Sequence, residues 1–251
     1  MSTTWSDKTI LITGGSSGIG RATALAFADA GAHVLVTGRR PEALAALVAE
    51  RPTIATVVAD AAEPADASRT IAAAVDRWGG VDVLINNAGA GAVMPLAQAN
   101  ADKIKEIFAV NVLGPSLLAA AAAPYLAVAE GSIVNVSSTL GQKAAAGISH
   151  YAAAKAALDH LTRCWALELA PQRIRVNAVA AGPTRSNALT GMFGLSPEQA
   201  DAIEADERTK IPLGRRGEPV DISRWIMAFA DPDASWVTGQ VLTVDGGLLI
   251  S

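Results

Sequence analysis

Short β-branched runs alternate with alanine-rich helical stretches along the whole chain, and this alternation restricts its possible folds more than any other feature. The strand-like runs are almost continuously apolar, as expected of strands that are covered on both faces. We predict strands at residues 8–13, 33–37, 54–59, 81–86, 132–137, 174–179 and 240–245, and helices at about 18–30, 41–50, 65–78, 100–128, 150–170 and 219–230. Strands that alternate with helices predict a doubly wound parallel α/β sheet of about seven strands, with helices on both faces.

The length suits one large α/β domain or two small ones, and we predict a single domain over residues 1–251. Hydrophobic residues make up 51% of the chain, so a sizeable core is possible, and no linker, repeat or low-complexity tract divides it. One segment, residues 186–212, interrupts the alternation of strands and helices after the sixth strand, and we predict a small helix in it at 197–209. Long insertions of this kind often form active-site lids, so we predict a substrate lid here, with a disordered surface loop as the alternative.

Charge and cysteine content indicate where the protein is located and which classes of partner it lacks. The net charge is -4 and no basic face stands out, which argues against a nucleic-acid partner. A single cysteine, Cys164, excludes an internal disulfide, and the first residues lack the basic and apolar regions of a signal peptide. The longest apolar run, residues 117–129, is shorter than the roughly 20 residues that span a bilayer. We therefore expect a cytoplasmic protein without a membrane partner. The three histidines show no metal-ligand spacing, so no metal site is predicted.

A glycine-rich loop, TGGSSGIG at residues 13–20, follows the first predicted strand and opens the first helix. Glycines allow a sharp turn and a close approach to a pyrophosphate, and a helix N-terminus offers free N–H groups. Its spacing differs from the GxGxxG fingerprint. Asp60 ends the third strand and NNAG, residues 86–89, ends the fourth. Ligands of open α/β sheets bind outside such strand ends, so these loops predict one dinucleotide-binding crevice.

The stretch SHYAAAKAAL, residues 149–158, places Tyr151 and Lys155 one helical turn apart. A free tyrosine titrates near pH 10 and is a poor acid–base catalyst at neutral pH. A nearby cation favours the phenolate and so lowers the pKa of Tyr151, and Lys155 can supply that charge. A shift of about two to three units would be needed. Ser138, at the end of the fifth strand, can hydrogen-bond a substrate oxygen. The alternative is an interface tyrosine beside a solvated lysine.

Asn111 lies inside the predicted helix 100–128, four residues before Pro115. Proline has no N–H, so the carbonyl of Asn111 lacks its usual helical partner and the helix should kink. A kink without function is the alternative.

Together, these motifs resemble the short-chain dehydrogenase/reductase family. The resemblance covers essentially the whole chain and is carried by residues 13–20, Asp60, NNAG, Asn111, Ser138, Tyr151, Lys155 and VDGG at 244–247. It implies a Rossmann-like fold, a nicotinamide cofactor and a catalytic set of Asn111, Ser138, Tyr151 and Lys155. An oxidised nicotinamide ring would add to the positive charge that lowers the pKa of Tyr151. Tyr151 would give a proton to a carbonyl, Ser138 would orient that oxygen, Lys155 would bind the ribose hydroxyls, and Asn111 would hold a water that links Lys155 to solvent.

The resemblance also implies a set of cofactor contacts: Gly14, Ser16, Ser17, Gly18, Ile19, Gly20, Arg39, Arg40, Asp60, Ala61, Asn87, Ala88, Gly89, Tyr151, Lys155, Gly182, Thr184 and Ser186. Two departures matter. Where the family often has Pro-Gly after the sixth strand, this chain has Ala181-Gly182. The hydroxyl residue that the family places near the nicotinamide amide then corresponds to Thr184 or Ser186. Ala61 is a small residue after Asp60, so the adenine contact is expected to be looser.

Cofactor choice is read at the end of the second strand, where an acidic residue would bond the 2′-hydroxyl of NAD. That position is Gly38, and Arg39 and Arg40 follow it. Guanidinium groups suit a 2′-phosphate, so we predict a preference for NADP(H), with NAD(H) still possible. Ser17 stands where NADP-preferring relatives often have a basic residue, which weakens the preference. A solvated arginine pair is the alternative.

The predicted pocket rim is mostly apolar: Met94, Leu140, Gln142, Ile148, Met192 and Phe193. It favours a hydrophobic ketone or secondary alcohol, and hence a carbonyl reductase. A 3-oxoacyl-(carrier protein) reductase is one alternative, although the turn at 127–131 offers Glu130 and no cation for an acidic partner, with Arg173 as a possible contact. A non-catalytic nucleotide sensor is another. Helix 150–170 is apolar on two sides and therefore needs two partners, which predicts a homo-oligomer, and the resemblance implies a tetramer.

Overall fold

The computed structural model describes residues 5–251 and contains one seven-stranded parallel sheet in the order β3-β2-β1-β4-β5-β6-β7. The strands are β1 Thr9–Thr13, β2 His33–Gly38, β3 Ile54–Val58, β4 Val83–Asn86, β5 Ser132–Ser138, β6 Arg175–Ala181 and β7 Val241–Val244. Strand β1 pairs in parallel with β2 on one side and with β4 on the other. The chain order of the strands reverses between β1 and β4. The predicted doubly wound fold is confirmed.

Within the described residues, eight α-helices connect these strands: α1 Gly18–Asp29, α2 Pro41–Glu50, α3 Pro64–Trp78, α4 Ala101–Phe108, α5 Gly114–Ala129, α6 Ser149–Leu169, α7 Pro197–Lys210 and α8 Pro219–Ala230. The helix predicted at 100–128 is α4 and α5, joined through a π-helical turn at Ala109–Leu113. Pro115 cannot donate to the carbonyl of residue 111, and here the chain pairs Gly114 N–H with the carbonyl of Ala109 instead.

Two hydrophobic clusters cover the two faces of the sheet. Successive residues of a strand point to opposite faces, so Ile10 and Ile12 pack with Phe27 of α1 on one face. Leu11 packs on the other face with residues of α3 and α5, such as Ile71. The burial of both faces explains why the strand sequences are continuously apolar.

The continuous helical segment Ala101–Ala129 is long and apolar enough, at a mean hydropathy of 1.7, to cross a membrane by length and composition alone. The sequence argument on membrane spanning considered only the apolar run 117–129 and not the whole helix predicted at 100–128. A third of the apolar window is buried in the fold, where α5 packs on α3 and α4 packs on α6. Core helices of soluble proteins also meet these criteria.

The segment 186–212 contains a π turn at Ala188–Met192 and helix α7, which corresponds to the small helix predicted at 197–209. A capping box fixes the start of α7, since Ser196 and Gln199 bond each other's backbone N–H groups. Arg216 is buried and anchors the segment, because it forms ion pairs with two glutamates of α7 and donates to the carbonyl of Thr184.

Candidate active site

The candidate site lies at the carboxyl ends of β1, β4, β5 and β6, where the strand order reverses. Such a switch point opens a crevice between loops that leave the sheet in opposite directions. The glycine loop, NNAG and the Ser138–Tyr151–Lys155 group all border this crevice.

The glycine loop has the backbone that a close anion contact requires. Gly14 and Gly18 have φ angles of +63° and +53°, which L side chains rarely adopt. A Cβ at position 20 would overlap the Asn87 amide and the carbonyl of Gly14. Ser17 caps α1 without a side-chain hydrogen bond to its first turn, so the N–H groups there remain suited to a phosphate. This cradle fits the pyrophosphate of a dinucleotide.

Thr13, which the sequence analysis did not single out, joins the glycine loop to NNAG. Its buried hydroxyl accepts the backbone N–H groups of Asn87 and Ala88, both at 3.0 Å. The Asn87 side chain returns hydrogen bonds to the carbonyls of Thr13, at 2.8 Å, and Gly14, at 3.1 Å. The signal in the sequence was the threonine that precedes the glycines, at the carboxyl end of β1.

The loops after β2 and β3 form the far end of the crevice. Arg39 Nη1 lies 4.0 Å from Asp60 Oδ2, and the Arg39 side chain is 62% exposed. A Cβ at position 38 would lie 3.3 Å from Ser16 Oγ, so Gly38 borders the glycine loop. Arg40 is exposed and is the N-cap residue of α2. The predicted 2′-position residues therefore lie together, and Arg39 already faces a carboxylate.

The loop after β3 also rests on the π turn. A Cβ at position 114 would overlap the carbonyl of Ala61, so the glycine that ends the turn admits this loop. Ala61 is itself half-buried against the helix. The small residue predicted to loosen the adenine contact thus lies where the third strand's loop meets α5.

Ser138, Tyr151 and Lys155 are buried together, at 7%, 9% and 3% exposure. Strand β5 ends at Ser138, whose hydroxyl bonds the Tyr151 hydroxyl and accepts the N–H of Leu140 at 3.2 Å. The Lys155 ammonium lies 5.9 Å from the centroid of the Tyr151 ring and donates to the carbonyl of Val136 at 2.8 Å. Three of the four predicted catalytic residues therefore form one contact group.

The prediction that Lys155 lowers the pKa of Tyr151 is wrong for the protein on its own. Burial raises the pKa of Tyr151, and only the hydrogen bond from Ser138 opposes that shift. Burial also lowers the pKa of Lys155 to about 8, against the opposing charge of Asp159. Proximity in sequence does not show how strongly both groups lose water, and that loss dominates. Tyr151 is thus held as the neutral phenol, the form that donates a proton.

Asn111 is fully buried in the π turn beside this group. Its amide nitrogen donates to the carbonyls of Ala90 and Ile107, both at 2.7 Å, while its Oδ1 has no hydrogen-bond partner among residues 5–251. A Cβ at position 89 would lie 3.4 Å from that oxygen and 3.8 Å from Lys155 Nζ. A buried acceptor without a donor, close to an ammonium, suits a bound water.

The segment after β6 crosses the crevice from the glycine loop to Tyr151. A Cβ at position 18 would lie 3.3 Å from Ser186 Cβ, and one at position 89 would lie 3.5 Å from Met192 Cε. The Phe193 ring packs edge-on against Tyr151, with centroids 5.3 Å apart. Thr184 donates its hydroxyl to the carbonyl of Gly182 at 2.9 Å. Met192 and Phe193 therefore cover the catalytic end, and Ser186 lies over the glycine loop.

The other predicted rim residues are less uniform. Met94 is buried, and its N–H bonds the carbonyl of Gly147 at 2.6 Å, which ties the loop after β4 to the segment before α6. Leu140 and Ile148 are half-buried. Gln142 is exposed, and its side-chain oxygen accepts the Thr243 hydroxyl of β7 at 3.5 Å.

Comparison with known proteins places this site in a family. Residues 14–249 match the family described as Enoyl-(Acyl carrier protein) reductase. The chain is 41% identical over 249 residues to an uncharacterised oxidoreductase of Mycobacterium tuberculosis, covering 96% of this chain and 92% of the relative. It is 37% identical over 248 residues to the 3-oxoacyl-[acyl-carrier-protein] reductase FabG of Thermotoga maritima, covering 97% and 98%.

A solved structure agrees with these relatives. A short-chain dehydrogenase/reductase of unknown function from Caenorhabditis elegans, crystallised with cofactor, superposes with a TM-score of 0.91 at 33% identity. The match covers 98% of this chain and 96% of that one. Together with the glycine loop and the Ser138–Tyr151–Lys155 group, these matches identify the chain as an NAD(P)-dependent oxidoreductase that belongs to the short-chain dehydrogenase/reductase family.

Proposed function

We propose that this protein is an NADP(H)-dependent carbonyl reductase, working in reverse as a secondary alcohol dehydrogenase, on hydrophobic ketones. The observation that carries the proposal is the neutral, buried Tyr151 phenol, which is hydrogen-bonded to Ser138 and covered by Phe193. A donor that keeps its proton at neutral pH suits carbonyl reduction, where the oxygen must gain one.

In this proposal, Tyr151 donates its proton to the carbonyl oxygen and Ser138 fixes that oxygen by a second hydrogen bond. Lys155, whose ammonium lies near the Tyr151 ring, offers donors for the ribose hydroxyls of the cofactor. The unpartnered Oδ1 of Asn111 holds a water that leads toward Lys155. A reduced nicotinamide, when bound, supplies the hydride. The apolar Met192 and Phe193 exclude water from the reacting carbon.

The same residues define where the cofactor would be held. The glycine loop and the N-terminus of α1 would hold the pyrophosphate, and the loops ending in Asp60 and NNAG would border the adenosine and the nicotinamide ribose. Ser186, over the glycine loop, and Thr184 are the hydroxyl residues available to the nicotinamide end. Ser186 is the better candidate, because its hydroxyl accepts the N–H of Ala188, whereas the Thr184 hydroxyl already donates its proton to the carbonyl of Gly182.

The preference for NADP(H) rests on Gly38 and the exposed Arg39. Gly38 presents no carboxylate to repel a 2′-phosphate, and the Arg39 guanidinium is free to turn toward one. Its 4.0 Å approach to Asp60 is a weak, solvent-exposed pairing that a phosphate would outcompete. Ser17 supplies no charge, so we expect a preference and not an exclusive requirement.

The direct test is cofactor absorbance at 340 nm with a panel of hydrophobic ketones, sugars and 3-oxoacyl thioesters, each with NADPH and NADH. The proposal expects the highest kcat/KM with NADPH and an apolar ketone. Turnover confined to polyols or sugars, or a higher kcat/KM with NADH, would contradict it. Cofactor binding without turnover on any substrate would instead support the nucleotide-sensor alternative.

A 3-oxoacyl-(carrier protein) reductase is the second candidate, because a relative of that name matches nearly the full chain at 37% identity. Arg173 was the possible basic contact for an acidic carrier protein. In the structure it forms an ion pair with Glu130 at 2.6 Å, so its charge is already matched. The candidate therefore predicts activity with a carrier-linked substrate well above that with the free thioester.

We also propose a homotetramer in the cytoplasm, assembled through α6 and its neighbour α5. The side of α6 away from the sheet leaves Ala153, Cys164 and Leu167 exposed, and the Leu167 side chain is 81% accessible. Val128 of α5 is also exposed. Apolar surface on two adjacent helices is the usual composition of a subunit interface.

A further inference from the structure

Asp159 is a buried charged residue that none of the roles above employs. It lies on α6 one turn beyond Lys155, and its side chain is only 4% exposed. Neither carboxyl oxygen meets the geometry of a hydrogen bond within residues 5–251. A buried carboxylate that lacks hydrogen bonds lowers the stability of the fold, which suggests that its charge serves a purpose.

The surroundings of Asp159 leave room for the carboxylate but offer little compensation. The position facing it is Gly141, where a Cβ would lie 3.0 Å from Asp159 Oδ2 and 3.1 Å from the carbonyl carbon of Lys155. Burial raises the pKa of Asp159, and the Ser137 hydroxyl of strand β5 opposes that shift by favouring the charged form. The cations acting on it are Lys155 and Arg163, one turn away on either side of it along α6. Residues i and i+4 of a helix share one face.

Lys155, in turn, depends on Asp159 for electrostatic support. Burial lowers the pKa of Lys155, and among residues 5–251 the one charge that opposes this shift is Asp159. The outcome is a pKa of about 8, which leaves most of the ammonium protonated at pH 7. Without the carboxylate, burial alone would act, and the lysine would lose its proton nearer neutrality.

We propose that Asp159 is a positioning residue that keeps Lys155 charged, so that the ammonium can hold the cofactor ribose at neutral pH. The proposal rests on the proposed role of Lys155. Asp159 thereby joins the four residues already assigned to the site, Asn111, Ser138, Tyr151 and Lys155. Asp159 acts through Lys155 and touches neither substrate nor cofactor.

The test is NMR titration of the Lys155 side chain, from its ¹³Cε shift, in the full-length protein without cofactor. Asp159→Asn keeps the shape and removes the charge, and we expect it to lower the pKa of Lys155 by about one unit, the low end of the effect of a close opposite charge. Asp76→Asn is the matched control, because Asp76 is exposed on α3 and its loss changes the net charge equally. An unchanged Lys155 titration in Asp159→Asn would overturn the proposal.

A reciprocal measurement covers the case in which Asp159→Asn does not fold. Coupled groups shift one another, so Lys155→Met should raise the pKa of Asp159, followed by its ¹³Cγ shift. An Asp159 titration that is the same with and without Lys155 would also overturn the proposal. Neither titration uses substrate or cofactor, so failure here would leave the assignment of Tyr151 as proton donor intact.

The pH dependence of kcat distinguishes an electrostatic role of Asp159 from a purely structural one. If reduction requires charged Lys155, the alkaline limb of the kcat profile should move to lower pH in Asp159→Asn, by the same shift as the Lys155 titration. A variant with lower stability but an unmoved limb would show that the carboxylate serves folding alone, and would refute the proposal.

Discussion

Replacing Thr13 with valine tests how the cofactor loops are held together. The Thr13 hydroxyl accepts two backbone N–H groups, from Asn87 and Ala88, each at 3.0 Å, and the side chain is 3% exposed. Valine has nearly the same shape but cannot accept a hydrogen bond. The substitution therefore leaves two backbone donors without their partner in a largely buried environment.

The cost can be estimated from those two contacts. Each buried donor left without an acceptor costs about 1–3 kcal/mol, so Thr13→Val should lower the free energy of unfolding by about 2–6 kcal/mol. Urea unfolding, followed by circular dichroism, measures this loss. Because NNAG borders the cofactor crevice, NADPH affinity, measured by fluorescence titration, should fall as well.

Thr37→Val is the matched control for this experiment. Thr37 is buried, pairs with Thr13 in the sheet register, and holds neither of the two amides. We expect its substitution to cost about 1 kcal/mol or less. A loss in Thr13→Val no greater than in Thr37→Val, with NADPH affinity unchanged, would refute the view that Thr13 holds the glycine loop and NNAG together.

Three further results are expected. Arg39→Ala should raise the KM for NADPH about tenfold, the loss of one charged hydrogen bond, and that for NADH little; equal changes would contradict the 2′-phosphate role. Because the pKa of Lys155 is lowered to about 8 in the folded protein, the unfolded chain binds more protons between pH 8 and 10.5. The free energy of unfolding of the wild type, relative to that of Lys155→Met, should therefore rise by about 3 kcal/mol across this pH range. A difference in urea unfolding that stays constant with pH would contradict this. Leu167→Glu should shift the mass measured by light scattering from tetramer toward smaller species, and a wild-type monomer at micromolar concentration would refute the assembly.

The fold was predictable from sequence because its strands are buried on both faces. Such strands are continuous apolar runs, and all seven predicted strands occur, with ends that differ by one or two residues. The sequence argument also located the disturbance in the helix 100–128 at Pro115, since a missing N–H is a local property. It could not predict that the chain would respond with a π turn, nor that the loop of Ala61 would pack against Gly114 at its end.

The candidate site was predictable in its members but not in its electrostatics. Ser138, Tyr151 and Lys155 come together as expected, because strand ends and one helix face fix their positions. The direction of the Tyr151 pKa shift was wrong, because it depends on how deeply both groups are buried. Thr13 was missed because Asn87 and Ala88, which it binds, are distant in sequence, and Asp159 was missed because its burial depends on tertiary packing.

The side chain of Gln142 shows the same limit on the substrate side. Its loop position was correct, but its contact with Thr243 of β7 depends on a strand a hundred residues away. Rim residues on loops take their direction from such tertiary contacts, so sequence predicts where they lie better than where they point.

The most direct test of the account is the rate of ketone reduction by Tyr151→Phe, which keeps the ring and removes only the hydroxyl. Tyr125→Phe, at the other tyrosine of the chain, is the matched control. If Tyr151 donates the proton, kcat should fall by a factor on the order of 10²–10⁴ in Tyr151→Phe, with NADPH affinity kept and the control unaffected. A Tyr151→Phe variant that retains near wild-type turnover would contradict the central claim.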